Sequence, residues 1–125
     1  MILDTNALSA LADGDTELAA KLGDTAHLAL PVIVLGEYRF GIIASRHRNA
    51  YEAWLTEHLP LFDLLPVDDQ TAKHYAGLRH DLKRLGRPVP ENDLWIGALS
   101  LQHRRPVVSR DAHFQGMPGI RAETW

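Results

Sequence analysis

The feature that most constrains the fold is the repeated alternation of short apolar segments with segments of helical pattern. Apolar runs of strand length occur at residues 1–3, 27–30, 61–65 and 106–109. Helical patterns occur at residues 5–11, 17–22, 32–44, 49–59, 69–85 and 93–102. Such alternation favours a parallel sheet with helices on both faces. We therefore predict an α/β protein of three layers, α/β/α, around a central and mainly parallel sheet.

Capping residues set several of the predicted helix boundaries. Thr16 is a candidate cap for the second helix, which should end at Gly23. Pro31 suits the first turn of the third helix, because its missing N–H is harmless there. Asp68 or Asp69 can cap the long fifth helix.

Length and composition indicate one domain over residues 1–125, with 46% hydrophobic residues to form its core. The absence of cysteine excludes disulfides and thiolate zinc sites, and a reducing compartment suits such a chain. Every apolar run is interrupted well before the roughly 20 residues that span a bilayer, and no secretory signal pattern opens the chain. We expect a cytoplasmic protein that does not cross a membrane.

The net charge of −3, from 16 acidic and 13 basic residues, gives no global positive field of the kind that attracts nucleic acids. Four of the acidic residues, however, have a second interpretation. If they bind a metal, twelve acids remain against 13 bases on the rest of the surface. Local basic clusters then matter more than the total charge.

Those four acids lie in apolar contexts, where a carboxylate is costly unless a cation accompanies it. Asp4 and Asp111 each follow a predicted strand, and Asp93 lies in the first turn of a predicted helix. Ligands of parallel α/β sheets bind at the carboxyl ends of the strands, where such residues converge. Taken singly, each of these three Asp residues could instead be an ordinary helix cap.

Glu37 lies inside the third predicted helix, where it shares a face with Ile33, Phe40 and Ala44. Its carboxylate is therefore expected to point along an apolar stripe. A helix cap cannot explain an acid in the middle of a helix, although a basic partner such as Arg39 or Arg46 could.

Four carboxylates in one pocket repel one another, and a divalent cation would neutralise them. Ligation by oxygen alone selects Mg²⁺ or Mn²⁺. Such ions usually serve phosphoryl transfer, in which they orient a water and stabilise charge on the phosphate. The four acids therefore predict a metal-dependent hydrolase of phosphodiesters.

Four blocks of this chain resemble, in order and spacing, the signature blocks of PIN-domain ribonucleases, and especially the VapC-type toxins of bacterial toxin–antitoxin pairs. The blocks are residues 2–6, 34–41, 91–98 and 108–114, and the resemblance extends from Met1 to the 119–120 segment. It implies a PIN-like fold and endoribonuclease activity. It also implies an RNA substrate, a homodimer and a VapB-like antitoxin partner.

The resemblance implies a role for each matching residue. The acids Asp4, Glu37, Asp93 and Asp111 would line the pocket for Mg²⁺ or Mn²⁺, with Asp4 and Asp93 as direct ligands. Polar neighbours that would orient carboxylates or water are Thr5, Asn6, Asn92 and Ser109. Two positions depart from the family pattern: position 109 is Ser where Thr is frequent, and His113 occupies a place where some relatives carry another polar or acidic group. The number of metal ions stays open.

Residues beside the four acids are also candidates for functional roles. Arg87 and Arg110 flank the predicted pocket and are candidates for contacts with RNA phosphates. His113 could reach a phosphate, although a structural hydrogen bond is the more common role of a loop histidine.

An aspartyl phosphatase or phosphotransferase with Asp4 as nucleophile is an alternative, but it would normally have a second Asp where this chain has Asn6. A non-catalytic binding module is the other alternative.

Overall fold

The computed structural model describes residues 1–25 and 27–125, and within them a five-stranded sheet forms the centre of the molecule. The strands are β1 (Ile2–Leu3), β2 (Ala29–Pro31), β3 (Asp63–Leu65), β4 (Val107–Val108) and β5 (Ala122–Glu123). Their order is β3-β2-β1-β4-β5, and each of the four pairings is parallel. The predicted α/β fold with a parallel central sheet is confirmed.

Six α-helices flank this sheet in the described part of the chain. They are α1 (Thr5–Ala12), α2 (Thr16–Leu22), α3 (Val32–Ile43), α4 (Arg48–His58), α5 (Asp69–Arg84) and α6 (Glu91–His103). Single turns of 3₁₀ helix occur at Leu59–Leu61 and Ala112–Phe114. No helix among the described residues has the length and apolar character needed to cross a bilayer.

The central strands are buried on both faces, as parallel strands covered by helices must be. Ile2, Leu3, Val107 and Val108 have no exposed surface. Ile2 pairs with Ala29 on one side and with Val107 on the other. This register places the carboxyl ends of β1 and β4 side by side.

Two predicted boundaries change because a residue takes part in a neighbouring element. Pro31 ends β2, opposite Leu65, and precedes α3 as its cap, so it is not part of the first helical turn as predicted. Asp15, not Thr16, caps α2, because its carboxylate accepts a hydrogen bond from the Leu18 N–H at 2.9 Å. Asp68 caps α5 through a capping box with Thr71.

Chain order and sheet order together define where a ligand site is expected. From β1 the chain proceeds to β2 on one side, while β4 joins β1 from the other side. The carboxyl ends of β1 and β4 therefore form the topological switch point of this sheet, which is the usual ligand site of open α/β folds. Asp4 and Ser109 follow these two strands directly.

Candidate active site

A cavity of about 450 Å³ lies at the carboxyl ends of β1 and β4. We call it the acidic cavity; its lining residues are Asp4, Thr5, Asn6, Glu37, Pro90, Glu91, Asn92, Asp93, Asp111 and His113. The four acids singled out in the sequence all line it. Carboxylates up to 107 residues apart in the chain therefore meet at one place.

Asp4 is the most buried of these acids, with 3% of its surface exposed. It caps α1, and one carboxylate oxygen accepts a hydrogen bond from the Ala7 N–H at 2.8 Å. The other oxygen accepts a hydrogen bond from the Ser109 hydroxyl. Burial raises the pKa of Asp4 above its ordinary value, and these two hydrogen bonds act in the opposite direction. Asp4 is thus both a helix cap and a cavity residue.

Ser109 connects two sides of the acidic cavity from beneath. It follows β4, is 1% exposed, and its hydroxyl accepts a hydrogen bond from the Asp111 N–H at 2.8 Å while it donates to Asp4. Its own N–H donates to the carbonyl of Glu123, the last residue of β5, at 2.8 Å. A buried hydroxyl with both donor and acceptor roles satisfied fixes the relative positions of Asp4 and Asp111.

Asp93, Asp111 and His113 form the second group of the cavity. The His113 Nδ1 lies 2.9 Å from the Asp93 Oδ2 and 2.8 Å from the Asp111 Oδ1. Asp111 also caps the turn that carries His113, because it accepts the His113 N–H at 2.9 Å. Burial raises the pKa of Asp93, and the charge of Asp111 raises it further.

Glu37 completes the cavity from α3. The Thr5 hydroxyl donates to the Glu37 Oε1 at 2.9 Å, so a residue of α1 holds a carboxylate of α3. The apolar stripe along which Glu37 was expected to point is not the face that α3 buries. Phe40 is 80% exposed, and the residues that α3 buries are Val34, Tyr38 and Ile42. Because α3 is apolar nearly all round, its sequence periodicity does not indicate which face is covered.

Two predicted residues line the cavity without fixed contacts in the described structure. Asn6 and Asn92 are both exposed at its rim. Their predicted role in orienting carboxylates or water stays a prediction.

The two predicted arginines lie outside the acidic cavity and contact protein groups. Arg87 donates to the carbonyls of Gln115 at 3.0 Å and Gly116 at 3.1 Å. The Arg110 guanidinium lies 4.6 Å from the ring centroid of Trp125 and donates to Glu17 at 3.1 Å. Their contact with RNA phosphates stays a prediction.

The donor set of the cavity fits a divalent cation. One ligand atom each from Asp93, Asp111 and His113 lie within 4.8 Å of one another, and Asp4 and Glu37 line the same space. Carboxylate oxygens are the ligands of hard divalent ions, and an imidazole is a further common donor. A cation would also relieve the repulsion from Asp111 that raises the pKa of Asp93.

Sequence reasoning missed Glu91 as a residue of this cavity. It opens α6, two residues before Asp93, and accepts a hydrogen bond from the Tyr75 hydroxyl. An acid in the first turn of a helix is normally explained by the helix dipole alone. Only the packing of α5 against α6, which brings Tyr75 to Glu91, distinguishes Glu91 from such an acid.

Comparison with known proteins agrees with this fold. The family model of the PIN domain matches residues 1–120. Ribonuclease VapC5 of Mycobacterium tuberculosis is 33% identical over 120 residues, which cover 94% of this chain and 87% of that protein.

Two solved structures superpose over nearly the whole chain. VapBC from Salmonella typhimurium, bound to DNA, matches with a TM-score of 0.88 and 26% identity, over 99% of this chain and 96% of that chain. VapBC2 from Rickettsia felis, bound to a DNA fragment from their promoter, matches with a TM-score of 0.89 and 21% identity, over 99% and 97%. The chain described here belongs to the PIN-domain family.

Proposed function

We propose that this chain is a metal-dependent endoribonuclease, of the VapC type, that acts as the toxin of a toxin–antitoxin pair. The single observation that carries the proposal is the meeting of Asp4, Glu37, Asp93 and Asp111 in one cavity at the carboxyl ends of β1 and β4. The similarity to a VapC ribonuclease over most of both chains supports it.

The proposed metal is Mg²⁺ or Mn²⁺, held by those four carboxylates. Oxygen ligands favour these two ions alike, so the carboxylates alone do not choose between them. When bound, such an ion lowers the pKa of a water molecule and stabilises negative charge on a phosphate.

The residues of the chain position this chemistry. Ser109 keeps Asp4 and Asp111 at a fixed separation, and Thr5 holds one oxygen of Glu37 while the other stays available to an ion or a water. His113, between Asp93 and Asp111, can hold a proton close to the reacting phosphate. In hydrolysis, a water molecule loses a proton as its oxygen bonds to phosphorus, a P–O bond of the RNA breaks, and the leaving oxygen gains a proton.

The proposal includes partners and location. The similar solved structures are complexes named VapBC, so we propose a VapB-like antitoxin for this chain. The homodimer that we also propose rests on the resemblance to VapC-type toxins alone. A basic side chain of the antitoxin would be complementary to the acidic cavity. A cytoplasmic location is part of the proposal, because cellular RNA is the proposed substrate.

The alternatives have less support in the geometry. An aspartyl nucleophile would normally be accompanied by a second Asp two residues on, whereas this chain has Asn6 there, exposed at the rim of the cavity. In a non-catalytic binding module, Asp4 and Asp111 would serve only as helix caps. Capping does not explain why Asp93 lies beside Asp111 and His113.

The proposal is tested by incubating the purified chain with total cellular RNA and either MgCl₂ or MnCl₂. We expect cleavage at discrete positions, loss of cleavage with EDTA, and binding of Mn²⁺ in a calorimetric titration. A matched phosphatase assay on a small phosphate ester should show no activity. Failure to cleave RNA with either metal, together with no Mn²⁺ binding at millimolar concentration, would contradict the proposal.

A further inference from the structure

A second cavity, also of about 450 Å³, lies directly beside the acidic cavity. We call it the basic groove; it is lined by Arg79, Leu82, Lys83, Gly86, Arg87, Pro88, Val89, Glu91 and Leu94. Glu91 lines both cavities and therefore forms the ridge between them. A ligand that occupies one cavity is in reach of the other.

The basic groove carries three cations against one carboxylate. Arg79 lies 3.6 Å from Glu91 and also donates to the Tyr75 hydroxyl at 2.7 Å, so it neutralises the ridge. Arg87 is anchored on the carbonyls of residues 115 and 116. Lys83 forms no ion pair within the described part of the chain, and its ammonium is exposed. The groove therefore keeps positive charge available for an anion.

The floor of the basic groove is apolar. It is lined by Leu82 and Leu94, which are buried in the core, and by Val89, which is half-buried. Cations around an apolar floor match a ligand that carries both a phosphate and a flat, weakly polar ring system. A single-stranded nucleotide has both parts, whereas a free phosphate ion does not need the floor.

We propose that the basic groove binds one unpaired nucleotide of an RNA substrate, next to the phosphate that is cleaved in the acidic cavity. Lys83 and Arg87 contact its phosphate, and its base lies on Val89 and the adjoining leucines. This inference rests on the proposed function, because the acidic cavity determines which phosphate is cleaved. It adds a requirement that the RNA be unpaired beside the cut, since a base within a duplex cannot reach the floor.

Another basic region serves as a comparison. A cavity of about 380 Å³ that includes Arg104, Arg105 and Arg121 lies beside Pro106, at the amino end of β4. That end of the sheet is opposite to the one that carries the acids. The basic groove is favoured as the RNA subsite because it adjoins the acidic cavity.

The first test compares Lys83→Ala with Arg84→Ala. Arg84 is the next residue on α5 and has the same charge and high exposure, but it does not line the groove. Both variants are made in an Asp93→Asn background so that the RNA stays intact, and binding of a short fluorescein-labelled single-stranded RNA is followed by anisotropy. We expect Lys83→Ala to weaken binding by about twofold to fivefold, the range for one exposed ion contact. The logarithm of the RNA association constant decreases linearly with the logarithm of the salt concentration. The magnitude of this slope should be smaller by about 0.7 in Lys83→Ala, because one phosphate contact is lost.

The second test locates the RNA on the protein. Because the chain has no cysteine, Lys83→Cys and Arg84→Cys each introduce one thiol, to which a photoreactive group is attached. We expect the group at position 83 to crosslink the RNA at a nucleotide next to the cleavage position. The group at position 84 should crosslink far less.

The outcomes separate this inference from the proposed function. If the unmodified chain cleaves RNA, but the variants at 83 and 84 bind it equally and crosslink it equally, the groove is not an RNA subsite and the proposed function stands. A crosslink spread evenly along the RNA has the same meaning. If the unmodified chain neither cleaves nor binds RNA, both proposals fail.

Discussion

The acidic cavity and the basic groove have the same volume and share Glu91, yet their side chains are held in opposite ways. In the acidic cavity, Asp4 is bound by Ser109 and Glu37 is bound by Thr5. In the basic groove, Lys83 is exposed and has no partner in the described residues. One region is a set of like charges held by hydrogen bonds; in the other, Arg79 and Arg87 are held by protein groups and Lys83 stays exposed.

This difference indicates what each region can contribute. Buried like charges with raised pKa values, such as Asp4 and Asp93, reduce the stability of the metal-free fold and are typical of reactive sites. Exposed cations cost the fold little and contribute to binding through long-range attraction. Changes in the acidic cavity should therefore affect catalysis strongly, while changes in the groove should affect substrate binding modestly.

The largest effect is expected from Asp93→Asn. It removes a charge that we propose as a metal ligand, so RNA cleavage should fall by more than about a hundredfold, beyond the 10–100-fold typical of groups that only support a ligand. The unfolding temperature in EDTA should not fall, because the repulsion from Asp111 is removed. Asp81→Asn, at an exposed acid on α5, is the control and should leave both quantities unchanged. Full cleavage by Asp93→Asn would show that this carboxylate is not part of the site.

A smaller loss is expected from Ser109→Ala, which removes the hydroxyl that connects Asp4 to the Asp111 N–H. Cleavage and Mn²⁺ affinity should both fall by about tenfold to a hundredfold, as for other groups that orient metal ligands. Ser109→Thr retains the hydroxyl and should restore most of the affinity. If Ser109→Ala lowers the unfolding temperature but leaves Mn²⁺ affinity intact, the residue has only a structural role.

Thr5→Val should have a milder effect still. Valine has the shape of threonine but cannot donate to Glu37, which is half-exposed and tolerates a lost bond better than buried Asp4 does. We expect cleavage to fall by about tenfold, at the lower end of the range for such supporting bonds. Thr5→Ser keeps the hydroxyl and is the matched variant. Equal activity of the Val and Ser variants would mean that Glu37 does not depend on this bond.

The sequence predicted the fold well because strands and helix ends depend on local signals. The buried runs before Asp4 and Asp111 became β1 and β4, and Asp68 caps α5 as its position indicated. Errors arose where tertiary contacts decide between neighbouring residues. Thr16 and Asp15 are both good caps, and only the bond from the Leu18 N–H shows that Asp15 is used.

The acidic cavity was also partly predictable, since carboxyl ends of parallel strands meet at one edge of the sheet. The sequence did not predict which groups the long side chains contact. Arg110 stands between Ser109 and Asp111 in the chain, yet its guanidinium lies over Trp125, which β5 brings beside it. The basic groove was predicted only in part: Arg87 was a candidate for phosphate contacts, but the cavity that it lines forms only where α5 and α6 pack together.

The smallest expected effect concerns stability and tests the difference between the two regions without any RNA. Because the folded state raises the pKa of Asp93, the folded chain binds a proton more tightly than the unfolded chain. The contribution of Asp93 is therefore most favourable below the ordinary value of 3.8 and is lost as the pH rises through the raised value. In EDTA, we compare the free energy of unfolding of Asp93→Asn with that of its parent. The difference in favour of Asp93→Asn should increase as the pH rises from 3.8 to the raised pKa of Asp93, and should then level off.

This measurement needs one precaution, because His113 contacts the Asp93 carboxylate. Both chains therefore carry His113→Gln, which removes this contact from the difference between them. Chemical denaturation at a series of pH values gives that difference directly. Lys83→Ala, tested in the same way, should show no comparable trend, because the variant removes an exposed charge and leaves the contact between Asp93 and Asp111 intact. An equal trend in both variants would mean that the charges of the acidic cavity and of the basic groove have the same effect on the free energy of unfolding.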